Sequence, residues 1–501
     1  MKSHFQKPAI CLCAAFLIAS TLKSGAFALL GPFQPWMQAT NGVIVPGDIG
    51  GPMCISNGYR WNVPVVTYGF DQSFLDFFGS NGVAAVESAI GVLNALPPAS
   101  SRAFTNYPDS TIRDNYTAAS QSLYDLKSVT LSLLLEQMGL ANPNRFLYVL
   151  TQWNLGLATS PEVTLLPSGI TGTYIVQLNF DPLTFSPSNY LNGEAFGYEI
   201  ELQDNQYYIG TYLDDPMSYF SPAVASFDYF SGAYYTGLTY DDVGGLAYLL
   251  STNNVNFETL LPGVIGAGTN TASFVNGAWR PGVDKITFIP QLVDSNSGQF
   301  LQTTNCFTDN YLTNGVLHQQ QLARTISKPD FLFSAGDVPS SVPTIPLYTR
   351  TGATNWLDNA AANGNTNGAC PGVIRPQVNI VFNKLGPVFY TYSDQLIDDP
   401  FAYYGSFDGT TNSPVIYPAL QAATNQLSVR MWIVMDTPSS SYANSFEWKL
   451  TSATGAQFTL QTSTDLTGWT DVFSVTNNGS VFTYLNYNPT GPSRFYRLVP
   501  Q

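Results

Sequence analysis

Histidine is nearly missing from this chain: 501 residues contain two, His4 and His318. A three-histidine zinc site cannot be built from them, and a nucleophile–histidine–acid arrangement would have to rest on His318 alone. Charge is scarce too. Asp, Glu, Lys and Arg make up 11% of the residues, against the usual quarter. Acids outnumber basic residues 34 to 19, for a net charge of −15. Nucleic acids and anionic membrane surfaces would repel such a chain. Cysteine is sparse: Cys11 and Cys13 lie near the N-terminus, and Cys54, Cys306 and Cys370 are spread far apart. That spacing is neither a disulfide framework nor a zinc motif. The sequence has no G-x-S-x-G elbow, phosphate loop or dinucleotide fingerprint. Beyond the N-terminal leader, no apolar run is long enough to span a bilayer.

What is present points to an exported β-rich protein. The chain opens MKSHFQKPAICLCAAFLIASTLKSGAFALLG. Lys2 and Lys7 form a basic n-region, Ala9 to Leu22 an apolar h-region, and Ala26-Phe27-Ala28 an A-x-A cleavage signal. A signal peptide over residues 1–28 is therefore expected. Its removal takes Lys2, Lys7 and Lys23 but no acid, which would leave a net charge of −18. Hydrophobic residues reach 45% and aromatics 14%, alongside 41 Gly and 33 Pro. There is ample material for a packed core, and solubility must come from uncharged polar side chains. A chain of this length predicts about two to four domains.

Periodicity predicts an α+β domain over 29–252. WNVPVVTYGFD (Trp61 to Asp71) reads as a largely buried strand. Ser80 and Asn81 precede VAAVESAIGVLNAL, where Val83, Val86, Ile90 and Leu93 line one helical face until Pro97-Pro98. A second helix is predicted through AASQSLYDLKSVTLSLLLEQM, with Gly139 as its C-terminal stop. In FGYEIELQ, Tyr198, Ile200 and Leu202 alternate with Glu199, Glu201 and Gln203, as in a strand with one wet face. Residues 253–424 read as a β-rich, loop-rich region, with a hairpin around Leu385-Gly386-Pro387 and a linker from Asn412 to Thr424. Residues 425–501 read as an antiparallel β-sandwich in which Val429, Met431 and Ile433, then Phe458 and Leu460, point into a core anchored by Trp448 and Trp469. Asn478-Gly479 is a hairpin turn signal within it. The expected fold class is thus multidomain: an α+β N-terminal domain, a β-rich middle and a C-terminal antiparallel β-sandwich.

LTYDDVGGLAYLL (Leu238 to Leu250) resembles the last helix of matrixin-type zinc proteases, with its LT-x-DD-x-x-G pattern. The resemblance would imply an H-E-x-x-H-x-x-G-x-x-H zinc helix elsewhere. The nearest counterpart is Leu135-Glu136-Gln137-Met138-Gly139, where Leu135 and Gly139 stand in the ligand positions and Met217 is far from any Met-turn place. The pattern is equally explained by helix capping, with Thr239 as N-cap and Asp242 at the third position. FTLQTSTDLTGWTD…NNGS…PSRFYRL (Phe458 to Leu498) resembles the terminal β-module of exported verrucomicrobial-type bacterial proteins. The blocks GDIGGPMCISNGYRWNVPVVTYGFD and DLKSVTLSLLLEQMGLANP resemble long exported proteins of the same kind. These resemblances imply export and architecture and supply no site residues.

Other chemistry is thinly supported. His318, in NGVLHQQQLART, reads as a solvent-facing or hydrogen-bonded residue. Glu194, Glu199 and Glu201 cluster without the paired spacing a glycosidase needs. Asp294-Ser295-Asn296-Ser297-Gly298 fits an Asx-turn better than a calcium loop, and Asp214-Asp215 and Asp398-Asp399 read as solvated turns before proline. Trp432, Trp448 and Trp469 read as core rather than sugar platforms. A Cys306–Cys370 disulfide is expected, since both lie in the middle region.

Together these readings predict a secreted or cell-surface structural or binding protein without catalytic activity, the periplasm being a further destination. Extracellular matrix or polysaccharide are the candidate partners, with no nucleic acid, no transmembrane segment in the mature chain, no catalytic or metal residues and no cofactor. Calcium is a candidate that no ligand pattern supports. The alternatives are an extracellular carbohydrate- or polymer-degrading hydrolase using carboxylates, and a zincin-like scaffold lacking metal.

Overall fold

The computed structural model describes residues 23–37, 47–152, 163–165, 173–203, 206–219, 221–226, 230–268, 274–294, 297–337, 347–351, 356–358, 371–384, 388–392, 395–399, 403–418, 445–449, 457–463, 468–476, 481–485 and 495–500. Strands in several separate sheets dominate, and helices are few. No helix among the described residues is long and apolar enough to cross a membrane.

The main sheet has five strands, in the order Thr287–Pro290, Val65–Phe70, Phe331–Gly336, Val378–Asn383, Tyr348–Thr351. The first four run parallel and the last antiparallel. Val66, Thr67, Phe331, Phe333, Ile380 and Phe382 are buried, as the strands of a covered parallel sheet should be. Helix α1 (Gln72–Asn94) packs on this sheet. Asp71 caps it, accepting from the Phe74 amide at 3.0 Å. Phe74 and Phe78 pack as tilted rings 4.7 Å apart, and Phe78 meets Phe382, Tyr404 and Tyr417 edge-on. The predicted start at Ser80 is instead a break. Gly79 has φ +60°, open to glycine at little cost, and joins two helical pieces. The predicted face is otherwise right: Val86, Ile90 and Leu93 are buried, with Val83 packed against them.

The second predicted helix is three elements. Helix α2 (Tyr116–Ser120) ends early, Leu123–Asp125 is a strand, and α3 spans Leu126–Gln137. Ser122 at φ +54° marks the reversal. Asp125 then caps α3, accepting from the Ser128 amide at 2.9 Å and its hydroxyl at 2.5 Å. Every residue of α3 except Lys127 is buried. Its polar side chains are spent locally: Thr130 donates to the Leu126 carbonyl and Ser132 to that of Val224. Gly139 follows the helix at φ +105°, as a helix stop should.

A second five-stranded sheet is wholly antiparallel, in the order Asn256–Thr259, Gly277–Arg280, Thr303–Thr313, Val316–Ile326, Val264–Gly266. Buried charge ties it to its neighbours. Arg60, in the strand Tyr59–Arg60 of a separate three-stranded sheet, donates to Glu258 at 2.7 Å, to the carbonyls of Leu249 and Asn254, and to that of Arg280. Arg324 pairs with Asp330, whose Oδ2 also accepts from the amide and hydroxyl of Thr67. One hydrophobic core runs from Phe27 to Tyr417. The expected boundary at 252/253 therefore separates no two cores, because the parallel sheet draws Val65–Phe70 from one segment and its neighbours from the other. The expected linker from Asn412 is likewise built in. Val415–Ile416 pairs with Tyr403–Ser406, which lies parallel to Leu123–Asp125, and Tyr417 is fully buried.

Two turn expectations fail. Leu385-Gly386-Pro387 lies outside the described residues, and the strands on either side do not pair. Val378–Asn383 sits inside the parallel sheet, while Val388–Tyr392 pairs with Gln395–Asp399. Asp398-Asp399 is thus in a strand rather than a turn. Asn478-Gly479 also lies outside, and its flanking strands belong to different sheets. Thr470–Thr476 and Phe495–Pro500 flank Gln457–Ser463, and Val481–Leu485 pairs with Ser445–Lys449. Phe458 and Leu460 point into a buried interior. The strand expected around Val429, Met431, Trp432 and Ile433 lies outside the described residues.

Candidate binding face

The residues singled out for catalysis do not converge. Glu136 is buried in α3, where the Gln137 amide donates to it at 3.0 Å, and Leu135 beside it is core. Met217 is 89% exposed. His318 stacks on Tyr311 with ring centroids 5.5 Å apart, exposed on its strand. Glu199 faces solvent while Tyr198 and Ile200 pack inward. Asp294 accepts from the amide and hydroxyl of Ser297 at 2.7 and 3.0 Å, which spends it on a local surface turn. Asp215 does the same for the Met217 amide. Trp469 is half-buried. Among the described residues no three His, Cys, Asp or Glu side chains are grouped to hold a metal. Cys306 is exposed on its strand and is not bonded to Cys54; Cys370 lies outside the described residues.

The LTYDDVGG pattern is accounted for by packing. Helix α4 (Tyr240–Leu250) starts with a capping box in which Thr239 and Asp242 exchange hydrogen bonds. Asp242 also accepts from the amides of Val224 and Ala225 at 3.0 and 2.9 Å. Asp241 accepts from the amides of Ala26 and Asn192 at 2.9 and 2.6 Å. Both carboxylates are buried, and burial raises both above the usual range, Asp241 well above it. All four oxygens hold backbone, so neither aspartate is offered to a ligand. A Cβ on Gly245 would meet Leu140 and Phe27 at 2.8 and 2.9 Å, which is why the helix needs a glycine where it crosses the strand Phe27–Gly31.

The feature with a surface to offer is the antiparallel sheet. Its charges all point inward. Glu258, Arg280, Asp309 and Arg324 are buried on the inner side, where Arg280 grips Asp309 at 2.9 Å. Side chains alternate along a strand, so their neighbours face outward. Register sets Phe257 opposite Trp279, Trp279 opposite Leu312, and Leu312 opposite Leu317. These four form one row across four strands, roughly 14 Å from end to end at the usual strand spacing. Trp279 is 50% and Leu317 58% exposed, and Phe257 braces the indole edge-on at 5.8 Å.

Beside this row runs a ladder of uncharged polar pairs. Gln319 donates to Asn310 at 3.0 Å, Gln321 to Thr308 at 2.9 Å, and the Thr304 and Thr325 hydroxyls lie 3.0 Å apart. Each amide is held by one hydrogen bond and keeps further donors and acceptors for solvent or a ligand. No formally charged side chain points out of these paired positions, in a chain whose net charge is −15. Sequence reasoning missed this face. GAWR is too short to show a period, and Phe257, Trp279, Leu312 and Leu317 meet only through pairing across the sheet. No protein-family model, no curated protein and no solved structure matches the chain.

Proposed function

We propose that this is an exported protein that works by binding rather than by catalysis, and that its antiparallel sheet takes up an extended, uncharged polysaccharide. The observation that carries the reading is the row Phe257–Trp279–Leu312–Leu317 beside the amide ladder. A sugar ring has an apolar face that packs on an indole and a rim of hydroxyls that both donate and accept. An exposed apolar row with hydrogen-bonded amides alongside matches both. A formally neutral face suits a neutral polymer, since an acidic polymer would be repelled by the rest of the chain. The leader pattern and the likeness to exported verrucomicrobial-type proteins support a role outside the cytoplasm. The C-terminal strands would then attach or space the binding part. Co-sedimentation with microcrystalline cellulose, chitin and an insoluble xylan tests the idea. Retention on at least one of them, cut about tenfold by Trp279→Ala, is expected. No retention on any neutral polymer, or self-association through this face in its place, would remove the reading.

A further inference from the structure

We propose that leader removal, on which the export reading rests, leaves the protein starting no later than Ser24. The Ala26-Phe27-Ala28 tripeptide is then part of the fold and not the processing signal. One peptide bond upstream of Ser24 is hydrolysed by a leader peptidase with one water, giving a leader carboxylate and a new α-ammonium. In sequence, Ala19-Ser20-Thr21 is the nearest upstream tripeptide with small residues at its first and third positions, the property such peptidases read.

Phe27–Gly31 is a central strand, buried at every position. It pairs on one side with Leu140–Ala141 and on the other with Asn179–Phe180 and then Gly51–Met53. Hydrolysis after Ala28 would place an ammonium on Leu29, which has no exposed surface, and taking a charge out of water there is costly. It would also remove Phe27, whose ring packs 6.2 Å from Phe180 and 5.6 Å from Tyr248. Buried Asp241 would lose the Ala26 amide, and Ser188 would lose the Gly25 carbonyl that it donates to at 2.8 Å. The fold relaxes towards solvent just upstream of this point. Lys23 and Ser24 are half-exposed, and Lys23 reaches Asp109 at 3.1 Å on the surface.

Gly25 makes the inference testable on its own. A Cβ there would sit 1.9 Å from Asp241 Oδ1 and 2.7 Å from the Tyr240 ring. The full chain is exported from a bacterial host, and the released protein is read by intact mass and N-terminal sequencing. A first residue at Ser24 or earlier in the released protein is expected; a first residue at Gly25 or later, Leu29 above all, overturns the inference and leaves the export reading standing. Protein retained in the cytoplasm with Met1 in place overturns both. Gly25→Val gives a second readout on the released protein. Its unfolding midpoint should fall by roughly 5 °C or more, or the protein should fail to accumulate while a Ser24→Ala variant does. An unchanged midpoint would mean that residue 25 is absent from the mature chain, against the inference.

Discussion

Arg60 is the residue whose loss the fold should feel most sharply. Its guanidinium is 1% exposed and the Glu258 side chain 0%, with Nε 2.7 Å from Oε1. It also holds the Leu249 carbonyl in the last turn of α4, the Asn254 carbonyl beyond it, and the Arg280 carbonyl of the antiparallel sheet. Arg60→Met keeps the volume and removes every one of these donors. A buried carboxylate stripped of its partner costs about 3–5 kcal/mol, and the orphaned carbonyls add to it. Urea unfolding should show the loss as a lower midpoint. Burial already raises the Glu258 carboxyl above its usual value, and Arg60 opposes that rise. Without Arg60 the carboxyl rises further. A carboxyl raised on folding contributes most below its unfolded pKa and loses that contribution as pH climbs through the folded one. Arg60→Met should therefore be hurt more at pH 8 than at pH 5. Adding Glu258→Met removes the stranded charge, so the double variant should be more stable than the sum of the two single losses predicts. A single-variant loss under about 1 kcal/mol, or strict additivity in the cycle, would refute the view that this pair joins the strand Tyr59–Arg60 to the antiparallel sheet.

Asp125 offers a second pH test: burial pushes its carboxyl up to about 6, against the opposing hydrogen bonds from Ser128. Stability from this group is full below about 3.8 and fades as pH rises through about 6, by up to roughly 3 kcal/mol. Asp125→Asn should flatten the stability profile between pH 4 and 6, and an unchanged slope would count against the assignment. Peptide mapping without reductant decides the cysteines. The Cys306–Cys370 pairing is the expectation from sequence, but Gly372 lies in register with Tyr59, close along the chain to Cys54, so a Cys54–Cys370 link would reject it. A fragment covering 425–501 should unfold cooperatively if the C-terminal strands stand alone, and a disordered fragment would show that they do not.

What could be read from the sequence was local. Thr239 and Asp242 announce a capping box because their hydrogen bonds span three residues. The strand Val65–Phe70 was legible from its composition, but its partners were not. Parallel neighbours are joined by long crossovers, and nothing in a period-2 pattern says that Thr287–Pro290 and Phe331–Gly336 flank it. A boundary at 252/253 therefore suits the sequence pattern, although the parallel sheet draws strands from both sides of it. The helix expected through 118–138 failed for a different reason. The apolar spacing continues across Ser122, and the cap at Asp125 was outweighed by periodicity. Ala26-Phe27-Ala28 satisfies the pattern of a processing site and equally that of a buried strand. The candidate face is assembled by register alone, and a slip of one residue would turn Trp279 inward.

Binding through that face can be measured directly. An adsorption isotherm on a neutral insoluble polysaccharide, measured at low salt and at high salt, compares the native chain with Trp279→Ala and Gln319→Ala. Recognition by stacking and amide hydrogen bonds predicts retention that survives high salt, falls about tenfold without the indole, and falls less without Gln319. Retention that vanishes in salt, or that is the same for Trp279→Ala as for the native chain, would contradict it.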